Sequence, residues 1–150
     1  MSERPLSLED QLALQRLNHD FAYFLDHNQV ERLVALFTAD AYYRHGERVR
    51  EGKQEIEELF QKRKSTGNRV ARHVISGLRL QRSGENTATG CSVVVTWAAN
   101  SLVPVSGATP HLVADFLDEY RHDDNVGWRI SRRQIERIFV APDNTGPVGA

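Results

Sequence analysis

The hydrophobic period of this chain changes once, near Val70, and that change limits the folds open to it. Before it, apolar residues recur every three or four positions. Leu14, Leu17, Phe21, Phe24 and Leu25 form one stripe, which predicts an amphipathic helix. Ser7, with Asp10 three residues on, suits the start of that helix, and Asn28 suits its end. Val30, Leu33, Val34 and Phe37 predict a second, short helix. Ile56, Leu59, Phe60 and Arg63 predict a third, whose acidic start and basic end complement the helix dipole. Between these two, Ala41 to Arg44 reads as a short strand and Gly46 to Gly52 as a polar turn or edge hairpin. After Val70 the pattern turns to four long strands, at about 70–82, 87–100, 111–122 and 127–140. Ser83-Gly84-Glu85-Asn86 joins the first two as a hairpin, and Asp123 to Gly127 joins the last two. The link 101–110, with Pro104, Gly107 and Pro110, is a loop long enough for a lid or an oligomer contact. Residues 142–150 read as a mobile tail.

Helices first and a strand meander after them imply an α+β fold in a single domain, 1–150. The helices are expected on one face of a strongly curved, mainly antiparallel sheet. Strand 87–100 puts Cys91, Val93, Val95, Trp97 and Ala99 on one side, with Val94 and Ala98 on the other. A sheet apolar on both faces needs the helices on one and another subunit or more sheet on the other. The chain is therefore expected to form a homo-oligomer, a dimer or a trimer.

Charge and composition narrow the function classes. The net charge is -1 and no Lys/Arg stripe is present, so nucleic acid is not an expected partner. The single cysteine, Cys91, allows no internal disulfide, fits a reducing compartment, and in its apolar strand reads as packing. Met1 to Glu9 lacks an apolar signal-peptide core, and no stretch approaches the ~20 apolar residues of a membrane span. A cytoplasmic protein with no membrane contact is expected. His19, His27, His45, His111 and His122 show no ligand spacing, and there is neither a nucleophile elbow nor a phosphate loop. No metal and no cofactor is expected.

The candidate residues are few. His73 lies on the first long strand, sharing a face with Ala71, Ile75 and Gly77. An imidazole on such a face changes charge near neutral pH and can move protons. A core histidine satisfied by one hydrogen bond is the plainer reading. Asp26 ends the first helix, at the unfavourable end of its dipole and off its apolar stripe. It is either a solvated loop aspartate or a carboxylate that orients His73; periodicity cannot bring the two together. Arg133 shares a face with Ser131, Ile135 and Phe139. Among apolar groups it needs a partner, which Asp115, Glu119 or an anionic or polar substrate could supply. Either Tyr42 or Tyr43 could face a cavity as a hydrogen-bond donor, and the other would then point away. Trp97 and Phe116 read as core, or as the apolar wall of a cavity if the sheet encloses one.

Four segments in order carry a family resemblance: Phe24-Leu25-Asp26, Leu36 to Tyr43, Arg72-His73-Val74-Ile75-Ser76-Gly77-Leu78, and Asp118 to Arg133. With them the chain, from about Leu14 to Phe139, resembles the SnoaL-like branch of the nuclear transport factor 2-like superfamily. Within it, the chain is most similar to the scytalone dehydratases and the hexachlorocyclohexane dehydrochlorinases. The resemblance implies a cone-shaped α+β barrel of cystatin-like type. It implies an Asp26–His73 pair in which His73 is the base of an elimination. It also implies a cavity tyrosine at Tyr43 and a last-strand arginine at Arg133. The expected substrate is a hydrophobic, cyclic small molecule, and the expected activity that of a lyase or isomerase. Two dehydratase features are missing: Leu25 stands in place of a second tyrosine, and strand 87–100 has no histidine. The alternatives are a non-catalytic ligand-binding module and a small subunit of a ring-hydroxylating oxygenase.

Overall fold

A computed structural model describes residues 4–67 and 69–142. Apart from Pro142, the expected tail lies outside these residues. Three helices pack on one face of a six-stranded sheet. The helices are α1 (Leu8–Asp26), α2 (Val30–Val34) and α3 (Lys53–Lys64). The strands are β1 (Phe37–His45), β2 (Arg48–Glu51), β3 (Arg69–Arg82), β4 (Thr87–Asn100), β5 (Leu112–Asp123) and β6 (Gly127–Val140). Their order across the sheet is β2-β1-β6-β5-β4-β3. Only the β1–β6 pair is parallel; it joins the small front hairpin to the long meander.

Helix α1 begins where Ser7 accepts the amide of Asp10, 3.0 Å away. Its stripe of Leu14, Leu17, Phe21 and Leu25 is buried. It ends in a Schellman motif. Gln29 N–H reaches Phe24 O at 2.9 Å, Asn28 N–H reaches Leu25 O at 3.3 Å, and Asn28 adopts φ 56. That stop makes Asp26 the last helical residue, turned toward the sheet.

The front of the chain differs from expectation. Helix α2 closes at Val34, and Phe37 opens β1 rather than ending the helical stripe. Phe37 is fully buried and pairs with Ile130, so packing on β6 overrides a local spacing that suits either element. The expected edge hairpin is present as β1–β2, with β1 starting earlier than Ala41.

Bulges set which side chains face the helices. On β3, Ala71, His73 and Ile75 point inward up to Gly77, which has φ 64 in the register break between Ser76 and Arg79. Beyond it the parity reverses, and Leu78 and Leu80 are the half-buried residues. A second break on β6, opposite Glu119 and Tyr120, leaves both Ile130 and Arg133 inward. Phe139, placed by spacing on the face of Arg133, lies beyond a third break and is 69% exposed.

The outer face carries a row of apolar side chains across four strands: Val74, Val95, Val113 and Phe139, each paired with the next. Cys91 is exposed on this face, not packed as expected. A strand apolar on both sides gives no sign of which side the helices cover. Among the described residues no helix is long and apolar enough to cross a membrane.

Candidate active site

Asp26 and His73 come together under the end of α1. The Asp26 carboxylate accepts two hydrogen bonds from one residue: His73 Nδ1 lies 2.5 Å from Oδ1, and the His73 backbone amide 2.9 Å from Oδ2. Their side chains are 4% (His73) and 6% (Asp26) exposed. The carboxylate is an acceptor, so it holds the proton on Nδ1 and leaves Nε2 with its lone pair. Burial pushes the imidazole below its ordinary range. Asp26 pulls against this, and Arg63 and Arg69 push with it. His73 is therefore neutral near pH 7, the form in which it can accept a proton. Directly across the sheet, on the same face, is Thr96, itself buried.

Arg133 does not pair with Asp115 or Glu119. Both of those point outward on β5, whereas Leu112, Ala114, Phe116, Asp118 and Tyr120 alternate inward. Asp118 is the residue opposite Arg133 in the register, and the two form a fork: Nε to Oδ1 and Nη2 to Oδ2, each 2.8 Å. Nη2 also donates to Asn18 Oδ1. Tyr120 donates to Asp118 Oδ2 at 2.6 Å, and Asn18 donates to the Tyr120 oxygen at 3.0 Å. The guanidinium lies 4.4 Å from the ring centroids of both Phe21 and Phe116. Burial opposes its charge, but Asp118 prevails and raises the pKa of Arg133. Of its nitrogens only Nη1 is buried with no partner among the described residues.

Tyr43, not Tyr42, faces inward. It is fully buried between Phe37 and Phe60, and its hydroxyl has no partner among the described residues. Burial drives its pKa far up, so it stays a donor. Tyr42 points away, and the Arg132 guanidinium covers its ring at 4.1 Å. Phe116 is inward in the core, but Trp97, expected in the core or on a cavity wall beside it, is only half-buried. Its cross-strand partner is Arg72, on the opposite face from His73 and Thr96. There Trp97 helps line an apolar cavity of about 270 Å³ with Val70, Ala99, Val103 and Val105.

Sequence reasoning did not single out Asn18, Arg63, Arg69, Asp118 or Tyr120. Arg63 Nη1 donates to Leu25 O, 3.3 Å away and one residue from Asp26. Arg63 is felt by Tyr43 on one side and by His73 on the other, and Tyr43 in turn by Arg133 and Asp118. The inward polar groups thus form one electrostatically continuous set from Asp118 to Arg69. No group of three or more His, Cys, Asp or Glu side chains suited to a metal ion occurs among the described residues.

Comparison with known proteins agrees with this architecture. Three solved structures match along most of their length. One, from Novosphingobium aromaticivorans, carries the provisional name scytalone dehydratase; it has TM-score 0.77 and 22% identity, over 89% of this chain and 87% of that one. A second, from Nostoc punctiforme, is a protein of unknown function with a cystatin-like fold; it has TM-score 0.78 and 25% identity, over 93% of this chain and 98% of that one. A third, also from Novosphingobium aromaticivorans, carries the provisional name aromatic ring hydroxylase; it has TM-score 0.79 and 20% identity, over 94% of this chain and 99% of that one. A search of curated proteins by sequence found no match. The model of the SnoaL-like domain matches residues 6–134, which spans α1 through the buried Arg133, and the chain belongs to that family.

Proposed function

We propose that this protein is a small lyase or isomerase, of dehydratase or dehydrohalogenase type, acting on a hydrophobic, cyclic small molecule. The observation that carries this reading is the 2.5 Å contact between His73 Nδ1 and a nearly buried Asp26 carboxylate. His73 Nε2 removes a proton from carbon. The electron pair of that C–H bond forms the new double bond as the leaving group departs. Asp26 holds the ring and stabilises the imidazolium that forms. Tyr43 Oη and Arg133 Nη1, both buried without an acceptor among the described residues, supply hydrogen bonds to the leaving group or to a carbonyl oxygen. General base catalysis of this kind is worth roughly 10²–10⁴-fold in rate, with positioning supplying the remainder. The residues suffice for this chemistry with no cofactor.

The test is turnover. A metabolite screen by mass spectrometry identifies the substrate, and His73→Ala is then expected to lower kcat by roughly 10²–10⁴-fold. The variant should still fold, at a cost of about 1.5–3 kcal/mol, because the lost hydrogen bond is to a nearly buried carboxylate. Unchanged turnover in that variant defeats the reading. The alternative, a non-catalytic small subunit of a ring-hydroxylating oxygenase, makes the opposite prediction: co-purification with a large iron-containing chain, and indifference to His73→Ala.

A further inference from the structure

Arg63 and Arg69 stand beside the Asp26–His73 pair with their hydrogen-bonding capacity largely unused. Arg63 is in the last turn of α3 and Arg69 opens β3. Beyond the bond to Leu25 O, Arg63 Nε and Nη2 are buried with no partner among the described residues, and Arg69 Nε and Nη2 are in the same condition. Asp26, the carboxylate that acts on Arg63, already accepts both N–H groups of His73. Among the described residues no carboxylate opposes the charge of Arg69. Burial, then repulsion from Arg63, pulls it down to about 10.

Two like charges, half-buried and with two nitrogens each short of acceptors among the described residues, are costly to hold. Removing either would relieve the folded chain. An oxyanion between them would relieve it too, by accepting several charge-assisted hydrogen bonds at once. The position fits a substrate. Both guanidiniums act on the His73 ring, and Arg69, Ala71 and His73 alternate on one face of β3, so Arg69 and His73 flank the small Ala71 side chain.

We propose that Arg63 and Arg69 form an oxyanion subsite, so that the molecule presented to His73 is an amphipathic organic acid held by its carboxylate or phosphate. That His73 then acts on it rests on the function proposed above; the subsite itself rests on the two guanidiniums alone.

The experiment is thermal melting and calorimetric titration of the full chain with acetate, benzoate and inorganic phosphate, against chloride at equal ionic strength. At least one of the three should raise the Tm of the wild type, and which one does so distinguishes a carboxylate from a phosphate. Arg69→Gln should weaken that anion by about ten- to a hundredfold. Without added anion it should melt at or above the wild type, because a half-buried charge repelled by Arg63 is gone. Arg69→Lys, which keeps the charge and loses the fork, should bind between the two and covers the case in which the glutamine variant does not fold. If no anion raises the wild-type Tm, or if Arg69→Gln binds as tightly as wild type, the subsite is refuted. His73→Ala separates this from the base proposal: it should keep the anion affinity while losing turnover. Turnover that survives in His73→Ala alongside anion binding removes the base and leaves the subsite.

Discussion

Arg133 and Asp118 meet at two hydrogen bonds of 2.8 Å, and Asn18 and Tyr120 fill most of the remaining valences around them. Eight residues further along the same helix, about 12 Å at 1.5 Å per residue, Asp26 and His73 meet at one side-chain contact while two arginines stand by short of partners. Both clusters are charged and both lie beneath α1, yet only the first nearly closes on itself. A closed network fixes geometry; a network left open invites something to complete it. The difference separates a cluster that chiefly holds the sheet and helix together, with Arg133 Nη1 its one spare donor among the described residues, from one whose hydrogen bonding is mostly still open.

The sharpest way to break this distinction is at Asp118. Asp118→Ala leaves the Arg133 charge buried without its counterion and should cost about 3–5 kcal/mol. Chemical denaturation would measure it; a loss below about 1 kcal/mol, the range of a surface pair, would show that the cluster does not hold the fold.

A pH series comes next in size. His73 titrates below its ordinary 6.5 in the folded chain, because burial, Arg63 and Arg69 outweigh Asp26. The unfolded chain then binds the proton more readily than the folded one. Stability is fully present above pH 6.5 and declines as pH falls below it. Asp10 and Asp40, whose carboxyls are lowered from 3.8, contribute a separate loss only at more acid pH. Melting curves between neutrality and mild acid should show the first decline, and His73→Ala should flatten it. A slope unchanged in that variant would mean that another group titrates.

Tyr43→Phe should have the smallest effect on folding. Its hydroxyl bonds to nothing among the described residues, so stability should change by no more than about 1 kcal/mol. If Tyr43 serves the substrate, kcat falls while the Tm does not. A large destabilisation would place it with Asp118 as a structural group.

Much of the fold was legible because periodicity reports burial. The stripe from Leu14 to Leu25 and the change of spacing near Val70 both reflect the single interface between helices and sheet. The site was legible less evenly. Asp26 and His73 are 47 residues apart, and their meeting followed from the resemblance, because no local pattern encodes it. Asp118 did leave a signal, as the one carboxylate in the inward alternation of β5, but its partner Arg133 was sought at positions of the other parity. Arg63 left one as well, since it continues the stripe of Ile56 and Phe60. Trp97 could not be placed, because β4 is apolar on both sides and only the helices decide which is inside.

Strand β6 is the last strand in sequence but the third across the sheet, lying between β1 and β5. During synthesis the front hairpin and the β3–β5 meander therefore emerge with bare edges turned toward a strand not yet made. Asp118, too, waits for the arginine that neutralises it. Through that interval the nascent chain exposes two templates for pairing with its neighbours. Defects in β6 that spare Arg133 should accordingly be felt first as lost yield of soluble protein.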